Sequence, residues 1–114
     1  MTIQDFLPLN HADFHIMLAL ADGERHGYGI MSDVAEITGG RTKLGPGTLY
    51  TSIKRLLEAE LIEESDNRPD RKLDDERRRY YRLTQIGRKV LAAESQRVEN
   101  LVRYARAKRI LKQA

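Results

Sequence analysis

Thr48, Thr51, Lys54 and Arg55 are two short hydroxyls and two cations that share one side of a helix when the chain around them is wound at 3.6 residues per turn. Such a face is suited to base edges and phosphate oxygens in a major groove. It is equally the face of an ordinary solvated surface helix, because amphipathic helices with two cations are common. The segments on either side weigh between the two readings.

The helix itself is signalled by Pro46, whose fixed φ and missing N–H suit the first helical position. Leu49, Ile53, Leu56 and Leu57 then recur at three- and four-residue spacing and form a stripe directed at a core. Upstream, His26-Gly27-Tyr28-Gly29 precedes the apolar pattern Ile30, Met31, Val34 and Ile37, and Gly39-Gly40 ends it as a helix C-cap does. Two helices therefore adjoin across Arg41 to Gly45. Downstream, residues 61–65 and 79–83 alternate in the strand sense around a polar loop, Asn67 to Arg78, that contains Pro69. In this stretch Arg68, Arg71, Lys72, Arg77, Arg78 and Arg79 are interspersed with Asp66, Asp70, Asp74, Asp75 and Glu76. A run so balanced also reads as a solvated loop; Arg71 and Lys72 are its candidates for phosphate contact. The order predicts a mainly α fold with a small β-hairpin, a winged helix-turn-helix.

Leu-Gly-Pro-Gly-Thr-Leu-Tyr at 44–50, His-Gly-Tyr-Gly-Ile at 26–30 and Glu-Arg-Arg-Arg-Tyr-Tyr-Arg-Leu-Thr at 76–84 resemble the PadR family of bacterial transcriptional regulators. The similarity runs from about Phe14 to the C-terminus, with the three motifs in the family's order and at similar spacing. It implies a winged-helix DNA reader that forms a homodimer through its C-terminal helix and usually acts as a repressor in the bacterial cytoplasm. It also implies that Thr48, Leu49 and Tyr50 open the recognition helix, with Tyr50 and Lys54 as DNA contacts. An aromatic beside Leu49 can instead pack against the wing with only its hydroxyl exposed. The family places Tyr80 and Tyr81 on the second wing strand, where alternation sends one inward and one outward. The glycines of the 26–29 motif are expected to serve close packing of the second helix, and Tyr28 to belong to the core or the helix start. Some family members are released by small hydrophobic ligands. Phe14 and Tyr104 are the candidates to line such a site, although the chain lacks the tryptophan that an aromatic ligand site often carries.

The outer helices bear on assembly. The first is expected from about Asn10, a side-chain cap, to just before Gly23, and Phe14, Ile16, Met17, Leu18, Leu20 and Ala21 leave it apolar around most of its girth. The last is expected from Thr84, another cap, to about Lys108. Val90, Leu91, Val98, Leu101, Val102 and Ala105 make a seam along it, and a small domain cannot cover all of that seam. The simplest cover is the same helix of a second copy, which makes Leu91, Val98, Leu101, Val102 and Ala105 the expected dimerisation residues. Residues 1–83 then read as the DNA-binding domain and 84–114 as the dimerisation helix. Arg103, Arg106, Lys108, Arg109 and Lys112 follow Leu101 with no acid among them, which complements the helix dipole and offers a supplementary DNA contact as the lesser alternative.

Composition agrees. The 114 residues suit one domain with a modest core that a dimer would supplement. The formal charge of +3 is unevenly spread: residues 1–40 hold six acids against Arg25 alone, whereas the reader, wing and tail are basic. The absence of cysteine excludes disulfides, thiolate zinc sites and cysteine redox sensing. The longest apolar run, Ile16 to Ala21, is far too short for a bilayer, so the expectation is a soluble intracellular protein without a membrane partner. His11 and His15 are four apart but lack a third ligand, and no serine elbow, phosphate-binding glycine loop or Cys-His pair accompanies them. The expectation is no catalytic residue, no metal and no cofactor. The leading functional reading is a dimeric repressor on double-stranded DNA with a pseudo-palindromic operator. Its competitors are a winged-helix protein-interaction module, which would carry apolar anchors where Thr48, Thr51, Lys54 and Arg55 stand, and a sensor for a small hydrophobic effector.

Overall fold

Side-chain caps set the starts of three α-helices in the computed structural model, which describes residues 2–65 and 79–112. Helix α1 (His11–Ala19) begins where Asn10 Oδ1 accepts the Asp13 N–H at 2.8 Å, and it runs on into a 3-10 turn, Leu20–Asp22. Helix α2 (Gly27–Ile37) is capped by His26, whose Nδ1 accepts the Gly29 N–H at 3.1 Å. It is closed by Gly39 and Gly40 at φ of +61° and +82°, a region in which a side chain is strained. Helix α3 (Pro46–Glu58) has Gly45 as its N-cap and Pro46 in its first turn. Helix α4 (Gln85–Ala107) starts at Thr84, whose Oγ1 accepts the Gly87 N–H at 2.9 Å. The caps of α1, α2 and α4 each satisfy a donor that the first helical turn would otherwise leave unpaired, whereas α3 starts without a side-chain cap.

Three antiparallel strands, β1 (Arg25–His26), β2 (Ile62–Ser65) and β3 (Tyr80–Leu83), form a sheet in the order β1-β3-β2. The hairpin β2-β3 is the expected one, in the register Ile62 to Leu83 and Ser65 to Tyr80. Strand β1 is an addition, since two residues are too short to show alternation. Its presence corrects the reading of the tyrosines. With β3 central, Tyr80 and Tyr81 are both buried rather than one in and one out: Tyr81 joins the core, and Tyr80 on the other face meets the His26 ring edge to face at 5.2 Å.

The core gathers Ile16, Met17 and Leu20, Ile30 and Val34 of α2, Leu49, Ile53 and Leu56 of α3, and Ile62 and Leu83 of the sheet. Val90 and Leu91 of α4 belong to it as well. This corrects the reading of Leu91 as a dimerisation residue. The first turns of α4 pack against α1 and β3, so Leu91 is covered by its own chain. A 3-10 helix, Ile3–Phe6, lies against α4 from the other end of the sequence. Farther along α4, Val98, Val102 and Ala105 are half-buried and Leu101 is 55% exposed. Tyr28 holds the expected place in the first turn of α2 but is 73% exposed, so the core alternative for it is also corrected.

Candidate nucleic-acid interface

Helix α3 is held by one side and leaves the other open. Leu49, Ser52, Ile53 and Leu56 are buried, whereas Thr48, Thr51 and Lys54 are exposed. Among the described residues no side chain pairs with the hydroxyls of Thr48 and Thr51 or the ammonium of Lys54. Three unengaged polar groups on a helix fixed by its opposite face leave side chains free to choose partners on a backbone that is not.

The groove beside that surface is shared between helices. Asn10, the cap of α1, and His11 and Ala12 of its first turn face Gly47, Thr48 and Thr51 across an open cleft of about 680 Å³. Arg55 lies in the same groove but its guanidinium is engaged. Nε and one terminal nitrogen donate to the two oxygens of Asp13 at 3.1 and 2.7 Å, and the terminal nitrogen also donates to Ser52 Oγ at 3.2 Å. The Asp13 hydrogen bond, partly opposed by burial, raises the Arg55 pKa above its ordinary value. The sequence placed Arg55 with Thr51 and Lys54 on one face. The structure separates them by use, two groups free and one spent on the protein.

Tyr50 is half exposed and leans over the start of α2. A Cβ added at Gly27 would come within 2.5 Å of its hydroxyl oxygen, so a glycine there permits the approach. The hydroxyl of Tyr81 is pushed up in pKa first by burial and then by Glu64 and Tyr50. Tyr50 thus combines a packed edge with an open one. On the strands, Arg79 pairs with Glu64 at 3.2 Å and Arg82 with Glu63 at 3.0 Å. Arg71 and Lys72 lie outside the described residues.

Sequence reasoning missed Asp13 as the partner of Arg55. Arg41 and Lys43 are exposed in the turn that leads into α3. Asp13 is 6% exposed on a helix with an apolar interior. A lone carboxylate in such a setting needs a buried partner, and that was the signal for it.

The remaining candidates are dispersed. The His11 and His15 rings are 4.1 Å apart, and His15 Nδ1 lies 2.6 Å from the His11 carbonyl oxygen. No three potential metal ligands cluster among the described residues, and none of the described helices is long and apolar enough to cross a membrane. Tyr104, 66% exposed, lines an open depression of about 500 Å³ with Asn100, Arg103 and Ala107; Phe14, half-buried against the core, is not part of it.

Residues 16–93 match the transcriptional regulator PadR-like family. An uncharacterized 37.1 kDa transposon protein of Streptomyces fradiae is 36% identical over 93 residues, which cover 81% of this chain and 24% of that protein. The chain thus spans about a quarter of the length of that relative. Among solved structures, a PadR family transcription regulator from Clostridium difficile superposes with a TM-score of 0.70 at 27% identity, over 86% of this chain and 97% of the other. Bacillus subtilis PadR, solved in complex with operator DNA, superposes with a TM-score of 0.60 at 26% identity, over 75% and 47% of the two chains.

Proposed function

The chain belongs to the transcriptional regulator PadR-like family, and we propose that it works as a dimeric repressor that reads a pseudo-palindromic operator with one α3 in each half-site. That it is a DNA-binding transcriptional regulator follows from the family and from its likeness to a relative solved on operator DNA. The observation that carries the finer reading is the open face of α3: Thr48, Thr51 and Lys54 are exposed and without partners among the described residues, while Leu49, Ile53 and Leu56 hold the helix down. An interaction module would be expected to present apolar anchors at those positions.

In the proposed complex Thr48, Thr51 and Lys54 meet base edges, the exposed edge of Tyr50 meets the backbone, and Arg71 and Lys72 add phosphate contacts from the wing. Half-sites one turn of the duplex apart would require the reading helices of two copies, joined along the second half of α4, to stand about 34 Å apart. The exposed Leu101 and the half-buried Val98, Val102 and Ala105 support that pairing. The setting is the bacterial cytoplasm. An effector, where one acts, would meet Tyr104 with its depression on α4 and the half-buried Phe14 on α1.

The test is the Thr51→Ala, Lys54→Ala double variant, assayed against DNA from upstream of its own gene and against random duplex. The fold and the dimer should persist, because both side chains point away from the core. Each lost base contact should cost about 1–3 kcal/mol on the operator and much less on random DNA. A double variant that kept the parent's operator preference would place the reading surface elsewhere.

A further inference from the structure

We propose that Asp13 is a positioning residue for the DNA-reading helix, and that Arg55 serves this lock instead of a phosphate. The inference rests on the reading of α3 as the recognition helix. It starts from an asymmetry in the reading face: of the four polar side chains that the sequence puts there, one is already bound to the protein.

The bond is directional. Two parallel contacts, Nε to Oδ2 at 3.1 Å and the terminal nitrogen to Oδ1 at 2.7 Å, hold the guanidinium and carboxylate planes together. Paired contacts of this kind fix an orientation that a single ion pair leaves free. Both ends are anchored in turn. Asp13 is 6% exposed in the first turn of α1, where its own N–H is held by the Asn10 cap. The same arginine nitrogen reaches the buried Ser52. Were Arg55 to leave for a phosphate, the Asp13 carboxylate would stay behind, buried and unpaired, so the move carries a penalty that the free Lys54 does not face.

The consequence is control of angle. The apolar stripe of α3 holds the helix to the core but resists rotation about its axis only weakly, since dispersion contacts carry little directionality. A rotation of about 10° shifts a side-chain tip, about 5–6 Å from the axis, by about 1 Å, enough to take a hydroxyl or ammonium out of hydrogen-bond range. Arg55 lies one turn beyond Thr51 and beside Lys54, so the lock acts where those two must be aimed. Helix α1, to which it ties them, packs also on α4. The reading angle is thereby referred to the helix that joins the two copies.

A phosphate contact and a positioning lock differ in salt dependence, and this decides the matter. Affinities of the parent, Asp13→Asn, Arg55→Gln, the two combined, and the apolar pair Asp13→Leu with Arg55→Met would be measured on operator and random duplex over a range of salt. The apolar pair leaves no orphaned charge and should fold. The lock predicts that the ratio of operator to random affinity drops about tenfold in each variant, that the combined variant loses no more than either single one, and that the salt slope stays at the parent's value. A slope lowered by about one unit in the variants without Arg55 would make it a phosphate contact and overturn the proposal. So would full selectivity in the apolar pair. A parent with no preference for any duplex would instead remove the recognition-helix reading, and the lock with it.

Discussion

The two halves of α4 share one unbroken helical backbone and differ in everything that touches it. From Gln85 to Glu94 the helix contributes four buried residues, Gly87, Val90, Leu91 and Glu94, and beyond Glu94 it contributes none. Past that point Leu101 and Tyr104 stand exposed and Val98, Val102 and Ala105 are only half-covered. The apolar spacing is the same on both sides of the boundary. Periodicity therefore reports which face of a helix seeks cover, and the tertiary fold decides whether the cover is its own chain or another.

The largest effect that separates the halves is expected from Leu91→Asp. It places a charge in the chain's own core, at a cost of several kcal/mol against a total stability of about 5–15 kcal/mol for a domain of this kind. Circular dichroism should show a protein that is unfolded or melts far below the parent. A variant with the parent's melting temperature would mean that Leu91 is not covered as described.

The same substitution ten residues on should behave otherwise. In Leu101→Asp the single chain already leaves the position open, so monomer stability should change by about 0.5 kcal/mol or less. The proposed dimer would bury the charge without a partner and should dissociate. Sedimentation of a folded monomer is the expected result, and a folded dimer would move the interface off the second half of α4.

The contrast also marks how far the sequence could be read. All four helices were legible, the first and last with their caps Asn10 and Thr84, because capping and apolar spacing are local signals; the His26 cap of α2 was not. The hairpin was legible from alternation. Strand β1 was not, and with it went the burial of Tyr80, since whether β3 is an edge or a central strand depends on a segment more than fifty residues away. In the candidate site, Thr48, Thr51 and Lys54 stand on the expected open face. Arg55 reads from the sequence as a DNA contact on that side, and its engagement was not legible, because its partner Asp13 lies 42 residues upstream on another helix. Leu91 failed for the same reason as Tyr80: the spacing named the face correctly and could not name the neighbour.

The smallest effect is expected at Glu94, where the covered half of α4 ends. Its side chain is buried, with Oε1 accepting from Arg97 Nε at 2.6 Å and Oε2 from a terminal Arg97 nitrogen and the Leu9 N–H, both at 3.1 Å. The Arg97 hydrogen bonds, with help from Leu9 and against the effect of burial, hold the carboxyl below its ordinary pKa. A carboxylate whose pKa is lower folded than unfolded adds stability that is complete above the unfolded value, about 4.3, and disappears as pH falls through the folded value. Glu94→Gln keeps an acceptor for Leu9 but presents an uncharged amide to Arg97, so the variant should lose about 1–2 kcal/mol at neutral pH. The sharper readout is the slope. Urea midpoints followed from pH 7 to pH 3 should fall less steeply below about pH 4.3 in the variant than in the parent, so the two curves converge in acid. Parallel curves would mean that Glu94 does not titrate against its partners, and that the junction between the covered and open halves of α4 is held by apolar contact alone.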